Sequence, residues 1–270
     1  MRSQLGRLLC AGLLAFAAGE AAVAQERPAP LVSIVIDDLG NNPRADRRAL
    51  ALPGPVAVAI LPHTNLSAVL AEEAHRAGKE VLLHLPMDPE EGPDGAHDAG
   101  PGRIELDMSA REIVSMLDYD LQTVPHAIGV NNHMGSRLTQ NATAMQALMG
   151  RIRHHGNLFF LDSRTAPNSL AARVAVELGV PALERDVFLD SERGEAAVRA
   201  GLYRLERLLA ARGHAIAIGH PHPETLAALE RWLPDAAARG IRLVPLSVML
   251  QRHPKEADHA ERPVASGPGL

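Results

Sequence analysis

Five times along the chain a helix-like stretch ends in glycine and a short apolar run follows: EVLLHL after Gly78, NLFFLD after Gly156, VPAL after Gly179, HAIAIG after Gly213 and IRLVPL after Gly240. Glycine is the usual residue just past a helix end, because it takes the left-handed conformation without strain. The apolar runs do not alternate with polar residues, the pattern of strands buried on both faces. Three further runs, Leu31–Ile36, Val56–Leu61 and Ala127–Val130, have the same character. Seven or eight strands alternating with helices predict βαβ units and a mostly parallel sheet. In a single domain of this size that sheet is expected to roll into a distorted or incomplete (β/α) barrel, with a doubly wound open sheet as the alternative. No G-x-G-x-x-G or P-loop follows any strand, which removes the common nucleotide-binding readings.

Helix starts are also legible. Ser109 with Glu112 forms a capping box, Asn168 or Ser169 can cap the helix that leads to Gly179, and Ser191–Arg212 carries apolar positions at helical spacing. Pro234 is expected to break or kink the helix that begins after Pro223. Residues 87–108, rich in Gly, Pro and Asp, form a loop long enough to be functional or mobile.

The N-terminus adds a compartment. Arg2 and Arg7 precede an apolar run from Leu8 to Ala18, then Ala22-Val23-Ala24. That order reads as a secretory signal peptide over residues 1–24, and its greasy run is too short to span a bilayer. A linker at 25–30, a barrel domain at 31–252 and a disordered polar tail at 253–270 complete the expected organisation. Cys10 is the sole cysteine and falls in the leader, so the exported chain needs no disulfide and has no thiol chemistry. The chain carries a net charge of −5 and the leader +1, leaving −6 with only two lysines, Lys79 and Lys255. That balance argues against nucleic acid as a partner. No second apolar stretch reaches transmembrane length. With one Trp, two Tyr and four Phe, an extended aromatic platform for glycans is not expected.

In parallel α/β folds the chemistry gathers at the C-terminal ends of the strands. Those ends hold Asp37-Asp38, His63, His84, Asn131-Asn132-His133, Asp162, and His220 with His222. An aspartate after a strand is often the cap of the next helix, and a lone histidine there is commonly a satisfied polar residue. The set together, on one rim, points to a metal-dependent hydrolase. Asp38, His84 and His133 can supply three zinc ligands and leave a position for water, and a two-His, one-carboxylate set also suits Fe(II).

The stretches Ile34-Val-Ile-Asp-Asp-Leu-Gly40, His84-Leu-Pro-Met87, Asn131-Asn-His-Met-Gly-Ser136, Leu161-Asp-Ser-Arg164 and Ile218-Gly-His-Pro221 together resemble the divergent polysaccharide deacetylase family. That family is similar to the family-four carbohydrate esterases. The resemblance implies a distorted (β/α) barrel and a divalent metal, usually zinc, used to remove acetyl groups from sugars. It implies Asp37 as base, Asp38 as metal ligand and His220 as general acid. His84 matches the first of two metal histidines four residues apart, but the second position is Asp88. His133 is the expected replacement, with His222 and Asp88 in reserve. Ser136, Asp162, Arg164 and His222 are expected around the site as substrate or supporting groups, although Arg164 could equally be a structural partner of Asp162.

The expected function is an exported, periplasmic, zinc-dependent deacetylase acting on an acetylated saccharide or cell-envelope glycan. The alternative is a catalytically inactive envelope protein that binds a glycan or a protein partner on the same barrel. A glycosidase using Asp37 and Asp162 is a third class, favoured by two carboxyls about 5–9.5 Å apart across a cleft and opposed by metal dependence.

Overall fold

A computed structural model describes residues 28–91 and 98–252. The leader and the tail expected from the sequence, and the middle of the 87–108 loop, lie outside them. The elements run β1 (Leu31–Leu39), α1 (Pro43–Leu50), β2 (Ala57–Ile60), α2 (Ser67–Arg76), β3 (Val81–Met87), α3 (Ala110–Leu121), β4 (Ala127–Met134), α4 (Ala142–His155), β5 (Phe159–Asp162), α5 (Ala171–Glu177), β6 (Ala182–Glu184), β7 (Val187–Phe188), α6 (Glu195–Arg212), β8 (His214–Gly219), α7 (Pro223–Ala238), β9 (Arg242–Leu243) and α8 (Leu246–Arg252).

Every strand pairing is parallel. The sheet order is β6-β5-β4-β3-β2-β1-β8-β7, with β9 added against the start of β1. β6 and β7 therefore stand at opposite edges, yet only Arg185 and Asp186 separate them. Four consecutive residues reach at most about 11 Å, so the sheet must curl until its edges nearly meet. Arg185 N bonds to Asp162 O on one edge and Asp186 N to Ile216 O on the other. The result is a parallel barrel left incomplete along one seam and bridged by a two-residue link.

The strands are apolar on both faces because they separate two cores. Ile34, Ile36, Val58, Ile60, Leu83 and Phe160 face the helices. Val35, Ala57, Ala59, Leu82, Phe159, Leu161, Ile216 and Ile218 fill the barrel, plugged from below by Leu246 and Met249 of α8. Gly201 of α6 lets that helix lie against the barrel, since a Cβ there would stand 2.5 Å from Leu189 O.

Some helix boundaries follow the capping signals, but α5 begins after Leu170 with no side-chain cap, and Ser169 Oγ only accepts from Ala171 N at 3.3 Å. Ser109 and Glu112 form the expected box at α3. Gly156 and Gly213 close α4 and α6 with left-handed φ of 77° and 76°. α7 continues through Pro234 to Ala238, so the proline does not break it. Leu229, Trp232, Leu233 and Ala236 around the proline are all buried, and that burial outweighs one lost backbone hydrogen bond. Ile104, fully buried, docks the returning half of the long loop onto the end of β3 through Ile104 N to Pro86 O and Asp88 N to Ile104 O. No helix among the described residues is long and apolar enough to cross a membrane.

Candidate active site

The period of two along a strand builds the site. Inside the barrel, Val35 is followed by Asp37, Leu82 by His84, Gly129 by Asn131 and His133, Leu161 by Ser163, and Ile218 by His220. Each polar residue is the next inward position above the apolar plug, so five strands deliver one polar layer. Asp38 has the opposite parity and should point outward. A register shift between Ile36 and Leu39 and a left-handed φ of 61° at Asp38 turn it back to the mouth, as a bulge re-aims a side chain. A non-glycine residue held there marks strain kept for a purpose.

Asp38, His84 and His133 converge. Asp38 Oδ1 lies 3.0 Å from His84 Nε2 and 2.9 Å from His133 Nδ1, and the two ring nitrogens are 3.1 Å apart. An ion held at about 2.0–2.2 Å by tetrahedral O and N ligands needs them about 3.3–3.6 Å apart, so small outward shifts of this triangle accommodate one. One carboxylate and two imidazoles are the donor set that zinc accepts.

Two further groups flank the triangle. Asp37 is 1% exposed, accepts from Asn131 Nδ2 at 2.9 Å and lies 3.8 Å from His84 Nε2. His220 Nε2 stands 3.8 Å from Asp38 Oδ2. Burial pushes the Asp37 carboxyl up, against the pull of His84 and His220, which suits a base. Burial also raises Asp38, but its bonds to His133 and His84 outweigh this and keep it an anion well below the usual carboxylate range. Burial lowers His84, yet Asp37 and Asp38 bring it above the ordinary value.

His220 has a partner that strand-end reasoning missed. Asp190 Oδ1 meets His220 Nδ1 at 2.8 Å, while Oδ2 accepts from His220 N and Thr225 Oγ1, each at 2.7 Å. Burial pulls the imidazole down, but Asp190 lifts it to about 9. Asp190 follows the two-residue β7, a strand too short to stand out as an apolar run. The signal was present nonetheless, because Phe188-Leu-Asp190 repeats the Phe160-Leu-Asp162 pattern of β5. Asp190, His220 and His222 form a second group of clustered ligand atoms. Asp190 already has both oxygens engaged, and Arg193 Nη1 sits 2.9 Å from His222 Nδ1, a guanidinium that opposes a cation.

Other expected residues lie elsewhere. Asp162 shares the outward parity of Phe160, and its oxygens accept from Arg164 N at 2.7 Å and Ser169 Oγ at 2.6 Å. It anchors the turn after β5 and leaves the inward position to Ser163, which sequence reasoning passed over. The Arg164 guanidinium pairs with Glu184 at 2.7 Å rather than with Asp162. Ser136 Oγ accepts from Glu90 N at 2.9 Å on the long loop. His222 precedes α7 and stacks on His220 with centroids 5.6 Å apart. Asp88 is outside the triangle and bonds Arg137 at 3.2 Å, beside a cavity of about 470 Å³ lined by Arg103, Glu105 and Asp107. His63 turns away to Asp120, 2.6 Å distant.

An uncharacterized protein of Escherichia coli K12, YibQ, is 40% identical over 200 residues, 74% of this chain and 61% of that protein's length. The chain thus spans less than two thirds of that relative. The crystal structure of an uncharacterized protein from Agrobacterium tumefaciens C58 superposes with a TM-score of 0.77 at 28% identity, over 83% of this chain and 90% of that one. A mutant of a Bacillus anthracis CE4 family pseudoenzyme, described as having restored enzymatic activity, has a TM-score of 0.50 at 13% identity over 82% and 68% of the two chains, a likeness of fold alone. Residues 34–250 match the family described as divergent polysaccharide deacetylase. The chain belongs to the divergent polysaccharide deacetylase family.

Proposed function

We propose that this protein is an exported, zinc-dependent hydrolase that removes acetyl groups from a saccharide of the cell envelope. The carrying observation is the Asp38–His84–His133 triangle with Asp37 on one side and His220 on the other. His133 supplies the ligand that Asp88 does not, so the altered second motif leaves a three-ligand set. This favours an enzyme over an inactive binding protein.

Asp38, His84 and His133 would hold the ion, which when bound would polarise the acetyl carbonyl and acidify a water. Asp37, kept basic by burial, accepts the proton of the attacking water. His220, protonated at neutral pH through Asp190, donates to the leaving amine or alcohol. The buried apolar plug beneath the polar layer excludes bulk water from below and strengthens these interactions. With few aromatic residues, the site recognises its sugar through polar contacts. The leader motif at 1–24 supports delivery to the periplasm.

The test is metal content by mass spectrometry on the tag-free mature chain, with acetate release from acetylated saccharides. About one zinc per chain, lost in Asp38→Ala and His133→Ala, is expected, together with loss of acetate release in Asp37→Asn. No bound metal under replete conditions, or activity retained in metal-free protein, sinks the reading. Deletion of residues 1–24 should trap the chain in the cytoplasm on fractionation, and unchanged fractionation would refute export by this leader.

A further inference from the structure

Asn131 touches both the carboxylate assigned as base and a histidine of the triangle. Its Nδ2 donates to Asp37 Oδ1 at 2.9 Å and reaches Ser163 Oγ at 3.3 Å, while its Oδ1 lies 2.9 Å from His84 Nδ1. We propose that Asn131 is a positioning residue that accepts a hydrogen bond from His84 Nδ1–H, so that Nε2 is the ring nitrogen turned to Asp38 and His133 and left for an ion, and that the same amide holds Asp37 in place. The consequence for metal binding rests on the reading above, whereas the Nδ1 hydrogen bond itself does not.

The inventory of donors and acceptors fixes the amide. An ionised Asp37 oxygen can only accept, so the amide must present its NH2 there. The opposite orientation would set two acceptors face to face. With the amide so fixed, Oδ1 is left toward His84, and a carbonyl oxygen can only accept. Nδ1 of His84 must then carry the hydrogen. Asn131, Asp37 and His84 are 0%, 1% and 2% exposed, so water cannot substitute for a missing partner, and each unmet bond would carry its full desolvation cost.

The strand register enforces the contact. His84 of β3 pairs with Asn131 of β4, and Asn131 with Leu161 of β5. Asn131 thus sits inward between the strand of a triangle histidine and the strand that ends at Ser163. Its neighbour Asn132 faces the other way. Asn132 donates to Met134 O and Thr165 Oγ1 and accepts from Ser163 N, tying the ends of β4 and β5 together. Of two adjacent and chemically identical residues, parity gives one to the rim turns and the other to the site. A histidine that ligates a metal through one ring nitrogen is commonly oriented by a hydrogen bond from the other, and loss of that bond typically weakens metal affinity about 10–100-fold.

The experiment is histidine-ring NMR on the full chain, with and without zinc, reading the exchange protection of the His84 Nδ1 proton, with His84→Asn to assign the signal. Zinc affinity is measured in parallel by chelator competition. Wild type should show a protected proton on Nδ1 in both states. Asn131→Ala should lose that protection and weaken zinc binding about 10–100-fold. Asn131→Asp keeps an acceptor for His84 but sets a second carboxylate against Asp37. It should retain the Nδ1 proton and lose acetate release, and it carries the test if the alanine variant does not fold. A wild-type ring with no proton on Nδ1, an alanine variant with unchanged protection and zinc affinity, or an aspartate variant that loses the Nδ1 proton would overturn the proposal. A wild-type chain that binds no zinc would instead sink the metal reading, and the Nδ1 proton would still decide the role of Asn131.

Discussion

Replacing Asp190 by asparagine tests the acid side of the site without any substrate. Asp190 is 6% exposed and spends both oxygens on His220 and Thr225. Burial alone would depress His220; Asp190 foremost, then Asp38 and Asp37, bring it to about 9. Against an ordinary histidine near 6.5 that corresponds to about 3 kcal/mol at about 1.4 kcal/mol per tenfold, with Asp190 the foremost of the groups that raise it. In Asp190→Asn the carboxylate is gone and burial remains, so His220 should titrate near or below 6.5. The sign follows from a folded value above the unfolded one. The pair's contribution is fully present below pH about 6.5 and is lost as pH climbs through about 9. Wild type minus variant stability should therefore shrink by about 3 kcal/mol across that window. At pH about 8 the protonated fraction of His220 should drop from about nine tenths to below one tenth, an approximately tenfold fall in any rate that needs it as acid. Histidine-ring NMR titration reads the value directly, and urea unfolding at several pH values reads the stability. If His220 in the variant still titrates near 9, Asp37 and Asp38 suffice to hold its proton and the role given to Asp190 is wrong.

Two further predictions concern stability. Asp120 is fully buried, its Oδ2 has no hydrogen-bond partner, and burial pushes it up to about 8. The folded carboxyl keeps its proton while the unfolded one releases it near 4, so wild type loses stability as pH rises toward about 8. Asp120→Asn should therefore gain on wild type through that window and run parallel above it, by thermal unfolding across pH; a difference independent of pH refutes this. Gly201→Ala would place a Cβ 2.5 Å from Leu189 O, which should cost about 1–3 kcal/mol by overpacking in denaturant unfolding. It should also displace Asp190, the next residue, and lower the titration of His220. An unchanged midpoint would show that α6 moves away freely.

The legible part of the site was its inventory. Apolar runs ending in Asp, Asn or His identify residues at strand ends, and Asp37, Asp38, His84, His133 and His220 all meet within one polar layer. Parity misled at Asp162. Read as a strand-end carboxylate it joins the rim set, but it shares the outward face of Phe160 and ties its own turn. Asp190 was hidden for the opposite reason, because β7 is too short to register as a strand. Pro234 does not break α7, because intrinsic helix propensity is weak beside the burial of Trp232 and Leu233.

Local chemistry written in the sequence was enough for the alternation of strands and helices, the glycine-closed helices and the capping box at Ser109. These depend on neighbours a few residues away, and the parallel sheet follows from their order. The sequence could not decide which carboxylate serves which histidine. Asp190 reaches His220 across 30 positions and Asn131 reaches Asp37 across 94. Such contacts exist only after the sheet has curled and the two-residue link has brought its edges together. Whether the side chain of Asp38 faces the mouth or the helices was likewise set by one bulge and one left-handed residue, a local strain that only the surrounding fold can hold in place.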